Sequence, residues 1–102
     1  MPYIDPRLSR HLQDATDDML IDAIFTIVEE NQNPLEQWNT YRFAEQILQQ
    51  ITQQNNEQPT FLRFIPRANA VALTATSRFI NSLLSYPCVQ VASSATIDPF
   101  HF

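Results

Sequence analysis

Thr60-Phe61-Leu62-Arg63-Phe64-Ile65-Pro66-Arg67-Ala68-Asn69-Ala70-Val71-Ala72-Leu73-Thr74 is the stretch on which the fold turns. Two runs rich in apolar and β-branched residues, Thr60 to Ile65 and Ala70 to Thr74, flank four residues with turn character, and this predicts a β-hairpin. The chain contains no glycine, so the turn needs another residue that tolerates a left-handed backbone. Asn69 is the best placed to do so, because its short polar side chain lowers the cost of a positive φ.

Downstream of the hairpin, Thr76 or Ser77 is a capping residue for a helix whose apolar face is Phe79, Ile80, Leu83 and Leu84. The helix must stop at Tyr86-Pro87, because the residue before a proline is pushed out of the helical region. Val89 to Ala92 alternates apolar and polar residues and reads as a last strand. From Ser93 the periodicity is lost, and residues 93–102 read as an extended tail.

Upstream, Gln53-Gln54-Asn55-Asn56-Glu57-Gln58-Pro59 is a polar loop closed by a proline. Leu35, Trp38, Tyr41, Ala44, Ile47, Leu48 and Ile51 recur at intervals of three and four, which predicts an amphipathic helix of about five turns. Met19 to Glu29 is rich in β-branched and aromatic residues and reads as a central strand, followed by a turn at Asn31 to Pro34. Pro6, Leu8, Leu12 and Ala15 predict a short N-terminal helix over 6–15.

Without that first helix the order is strand, helix, strand, strand, helix, strand. The expected fold is therefore α+β and ferredoxin-like: one domain over 1–102, with a core over 19–92 and a four-stranded antiparallel sheet carrying both helices on one face. Alternation places Val71, Leu73, Val89 and Val91 under the helices. It places Ala70, Ala72, Thr74, Cys88, Gln90 and Ala92 on the opposite face, which is left open.

Composition narrows the function. With 102 residues, 44% hydrophobic and 17% charged, the chain has normal globular character and can build one core. A net charge of -5 and a pI near 4.7 oppose a nucleic-acid surface, which needs clustered cations. Ten of the 11 acids lie in residues 1–58 beside three of the six arginines, so the two halves attract each other or the second faces an acidic partner. No apolar run reaches the length of a membrane span, and Met1-Pro2-Tyr3-Ile4-Asp5 lacks the pattern of a signal peptide, which leads us to expect a cytoplasmic protein.

Chemistry finds little support. The absence of glycine removes phosphate loops, dinucleotide fingerprints and nucleophile elbows, and the absence of lysine removes Schiff-base chemistry. His11, His101 and Cys88 have no metal-ligand spacing, so neither a metal nor a cofactor is expected. Cys88 reads as a small packed hydrophobe, Asp17, Asp18 and Asp22 as a solvated acidic rim, and the glutamine-rich run from Gln49 as helix surface and loop. No enzymatic activity is expected. What stands out is the tail: Ile97, Pro99, Phe100 and Phe102 are apolar where chain ends are usually polar. They either fold back onto their own core or enter a groove on a partner.

Phe64-Ile65-Pro66-Arg67-Ala68-Asn69-Ala70-Val71-Ala72-Leu73-Thr74-Ala75, with Phe79-Ile80-Asn81-Ser82-Leu83-Leu84 and Pro87-Cys88-Val89-Gln90-Val91, resembles the subtilisin propeptide and peptidase-inhibitor family. Met19 to Glu29 and Leu35 to Ile51 resemble that family's first strand and helix, so the likeness spans most of 19–102. It implies a standalone inhibitor or folding helper of a subtilisin-like serine protease. The sheet face of Ala70, Ala72, Thr74, Gln90 and Ala92 would pack on the protease. The tail would lie in the active-site cleft like a cleaved product, with Phe102 in the primary specificity pocket, Pro99 in a distant apolar subsite, and Phe100 and His101 between them. Such an inhibitor would be monomeric when free. The chain departs from the family after its last strand, where Ser93, Ser94, Ala95 and Thr96 replace the acidic residues that often meet helix N-termini of the protease.

An alternative of a different class is a homo-oligomeric ferredoxin-like interaction or small-ligand-binding module, a homodimer that covers its open face by self-association.

Overall fold

Asp5 starts the first helix. Its carboxylate accepts a hydrogen bond from the Arg7 backbone N–H, and Pro6 occupies the first helical position, where its missing N–H costs nothing. The structure, a computed structural model, describes residues 3–28 and 42–95. Its elements are β1 (Tyr3–Ile4), α1 (Pro6–Asp14), β2 (Leu20–Ile27), α2 (Arg42–Asn55), β3 (Phe61–Ile65), β4 (Ala70–Thr76), α3 (Ser77–Leu84) and β5 (Val89–Ser94). The α+β class expected from the sequence holds. The turn at Asn31–Pro34, the first part of the helix expected from Leu35, and tail residues 96–102 lie outside the described residues.

The hairpin forms as its residues require. Pro66–Ala68 make a single 3₁₀ turn, and Asn69 adopts the left-handed conformation at φ 52°, with its N–H donating to the Pro66 carbonyl at 3.1 Å. Asn56, just past α2, has φ 54° and ends that helix in the same way. The Thr76 hydroxyl accepts from the Phe79 N–H at 3.2 Å and caps α3.

The strands form one five-stranded mixed sheet in the order β1-β5-β2-β4-β3. β2 pairs antiparallel with β4 and β5, and β4 with β3. The expectation of four antiparallel strands is corrected at the N-terminus, where Tyr3 and Ile4 run parallel to Val91 and Ala92 of β5. A two-residue strand carries no periodicity, so nothing in the pattern distinguishes it from a coil. The last strand also runs further than expected: β5 continues through Ser94, opposite Ala23, so the sheet and not the tail holds Ser93 and Ser94.

The three helices cover one face of the sheet. Leu8 of α1, Ile47 and Ile51 of α2, and Phe79 and Leu83 of α3 join Phe25, Val71, Leu73 and Val89 in one buried cluster. Alternation along β2 is regular, with Ile21, Ala23, Phe25 and Ile27 buried and Leu20, Asp22, Ile24 and Thr26 turned the other way.

Alternation along β5 is not regular. Val89 opposes Ile27 and Val91 opposes Thr26, so Gln90 has no opposite residue and forms a bulge. The extra residue reverses the faces beyond it, which corrects two placements: Val91 lies on the open face, and Ala92 is fully buried against the core.

One arginine of the second half meets two acids of the first. Arg78 pairs with Glu57 at 2.8 Å and Asp18 at 3.4 Å. Glu57 also accepts from the Thr76 hydroxyl at 2.8 Å. Beside them the buried Ser77 donates its hydroxyl to the Thr16 carbonyl at 2.7 Å. These contacts tie the start of α3 to the segment entering β2 and to the loop after α2. Among the described residues no helix is long and apolar enough to cross a membrane.

Candidate functional site: the open face of the sheet

The strand registers define which side chains share the face opposite the helices. Across β2 and β4, Asp22 lies opposite Thr74, Ile24 opposite Ala72 and Thr26 opposite Ala70. β3 extends these rows with Phe61, Arg63 and Ile65. On the other side β5 adds Ser93 and Val91, and β1 adds Tyr3 beside Val91. The face thus runs from Tyr3 at one edge to Phe61 at the other.

It is strongly apolar for a surface. Tyr3 is 64% exposed, Leu20 56%, Phe61 54% and Val91 38%. Scattered exposed apolar residues are ordinary, but here the strand ladder gathers them with the half-buried Ile24 on one side of one sheet. The described helices all pack on the other side.

Among the described residues two charged side chains belong to this face. The Asp22 carboxylate accepts a hydrogen bond from the Thr74 hydroxyl, which leaves it facing solvent with one polar neighbour. Arg63 is exposed and forms no ion pair with any described residue.

The residues expected on this face take different places, and Cys88 packs against the core instead. Ala72 and Thr74 are on the face and half-buried, and Gln90 is exposed at the bulge. Ala70 is on this side of β4 but buried, flanked in the ladder by Thr26 and Ile65, whose longer side chains leave its methyl little surface. Ala92 is turned into the core. Pro99, Phe100, His101 and Phe102 lie outside the described residues. Tyr3, Leu20, Ile24, Phe61, Arg63 and Val91 are among the face residues that sequence reasoning missed. For Leu20, Ile24, Phe61 and Arg63 a signal was present: extending the alternation of β4 to its two neighbours would have placed them. For Tyr3 and Val91 there was none.

Among the described residues the side chains with catalytic chemistry are dispersed. His11 lies in the last turn of α1, and the carboxylates of Asp18 and Asp22 go to different partners, Arg78 and Thr74. Among the described residues no group of three metal-ligating side chains is gathered. Cys88 is half-buried against the core, and burial pushes its thiol pKa up, partly offset by a backbone hydrogen bond. A higher pKa makes it less nucleophilic at neutral pH.

A second concavity, of about 560 Å³, runs between α2 and β3. Leu48, Pro59, Leu62 and Phe64 provide its apolar lining, with Gln49, Gln53 and Gln58 among its polar residues. The glutamine-rich run is therefore helix surface to Asn55 and loop beyond it.

Compared with known proteins, the chain matches no protein-family model, no curated protein and no solved structure.

Proposed function

We propose that this chain is a protein-binding domain that docks the open face of its sheet on a partner, and that the partner is a subtilisin-like serine protease which it inhibits or helps to fold. The observation that carries the reading is the apolar face lined by Tyr3, Leu20, Ile24, Phe61 and Val91, which no described helix covers. The order β5-β2-β4-β3 with antiparallel neighbours, under helices on one side, supports the ferredoxin-like core that the sequence resemblance implies, with β1 as an added edge strand.

The face is more apolar than the expected surface of alanine and threonine. Burying Leu20, Phe61 and Val91 contributes roughly 25 cal/mol for each Å² removed from water, which favours a helix-covered partner surface over a hydrated one. Ala95, the last described residue, lies beside β2: its N–H donates to the Asp22 carbonyl at 3.2 Å. Residues 96–102 follow it in sequence. In this reading they extend into the protease cleft, with Phe102 in the primary specificity pocket.

The experiment is to titrate a subtilisin with the full chain and with a chain lacking His101-Phe102, following hydrolysis of a chromogenic peptide. The expected result is inhibition by the full chain and a loss of at least tenfold on deletion. No inhibition by the full chain sinks the reading. Equal inhibition by both removes the tail from it and leaves the face.

A further inference from the structure

We infer that the open face is also self-complementary, and that in the absence of another partner two copies of this chain close it by stacking face to face as a weak, two-fold symmetric dimer. The inference concerns the same face as the reading above and what occupies it when no protease does.

Three features of the face support it. The first is charge. Among the described face residues there is one acid, Asp22, and one base, Arg63, separated by one intervening strand along the ladder β2-β4-β3. They do not pair with each other, and the Arg63 guanidinium pairs with no described carboxylate. In a two-fold interface every contact occurs twice, with residue i meeting j and j meeting i. A two-fold axis that lies in the interface and crosses β4 diagonally between Thr74 and Ala72, at right angles to the line from Asp22 to Arg63, brings Asp22 of each copy against Arg63 of the other. Both charges are then matched, which a single-sign face would forbid.

The second is shape. The middle of the face, on β4, carries Ala72 and Thr74, while Phe61 and Leu20 rise on either side of it. Small side chains at the axis let two sheets approach to about 10 Å, the ordinary spacing of stacked sheets. The larger side chains of each copy then cover the low centre of the other.

The third is area. Five strands about 4.8 Å apart, over five or six residues at about 3.3 Å, make a plane of roughly 400 Å², and rather more once side chains are included. This lies below the roughly 800 Å² per partner of a standard stable interface. The dimer is accordingly weak, with a dissociation constant of micromolar order or above, and a protease that binds more tightly displaces it by mass action.

Sedimentation velocity of the full chain over about 1 to 500 μM tests the inference. The expected result is a reversible monomer–dimer equilibrium in which Asp22→Arg and Arg63→Asp each weaken association at least tenfold, while an equimolar mixture of the two variants recovers it as a heterodimer. Circular dichroism on each variant checks that the exposed substitution leaves the fold intact. A wild type that stays monomeric at the highest concentration overturns the inference. So do single variants that dimerise as well as the wild type, or a mixture that recovers nothing. None of these outcomes depends on whether a protease binds, so the two proposals stand or fall separately.

Discussion

The two faces of β2 use the same strand for opposite purposes. On one, Ile21, Ala23, Phe25 and Ile27 are buried beneath three helices; on the other, Leu20, Asp22, Ile24 and Thr26 remain at least partly exposed, although Leu20 and Ile24 are as apolar as their buried neighbours. A strand that needed only one dry face would alternate apolar with polar residues. Leu20 and Ile24 break that alternation on the side without described helices, and this is the ground for proposing a contact surface there. The difference teaches that burial within the monomer and hydrophobicity of the residue must be compared position by position.

The largest expected effect tests the bulge that divides β5 between these faces. Val89→Asp places a carboxylate in the core and is expected to unfold the domain, at a cost above about 4 kcal/mol, whereas Val91→Asp on the open face is expected to change stability by under about 1 kcal/mol. Urea denaturation of both variants decides it. Equal costs would mean that Gln90 does not break the alternation.

Within β2 the same comparison is sharpened by Phe25→Ala against Ile24→Ala. The first leaves a cavity under the helices and is expected to cost about 3 to 5 kcal/mol, the second under about 1 to 1.5 kcal/mol. A smaller change is expected from Thr76→Ala, which removes the cap of α3 and the hydroxyl bonded to Glu57, and should cost about 1 to 2 kcal/mol in the same assay. The smallest concerns Cys88. Because burial raises its folded-state pKa, the folded chain holds the thiol proton more tightly than the unfolded chain does. Any stability from this group is intact below the unfolded thiol's pKa and lost as pH rises through the folded one. Alkylation at about pH 8 should be slower than in urea, and labelling at equal rates would contradict the half-buried placement.

Much of the fold was legible because local chemistry and tertiary structure agree along most of the chain. The hairpin needed a left-handed residue and had Asn69; α3 needed a cap and a stop and had Thr76 and Tyr86-Pro87; β2 had a β-branched run long enough to be central. What failed did so where pattern carries no information. A bulge is an extra residue with no signature in an alternating Val-Gln-Val-Ala run, so Val91 and Ala92 were assigned to the wrong faces. A two-residue parallel strand is decided by the edge of β5 and not by Tyr3 and Ile4 themselves. The candidate site was legible only in outline, since Ala72, Thr74 and Gln90 mark the face while its apolar weight rests on residues of β1, β2, β3 and β5.

The claim on which the function depends is that the face away from the helices, and not the groove between α2 and β3, meets the partner. Isotope-labelled chain titrated with a subtilisin whose catalytic serine is replaced by alanine, which leaves the cleft open, and followed by methyl NMR tests it directly. The account predicts that signals of Leu20, Ile24 and Val91 shift or broaden while those of Ile47, Ile51 and Leu83, buried with the helices, stay in place. Shifts confined to the groove between α2 and β3, at Leu48 and Leu62, or no shifts at saturating protease, would contradict it.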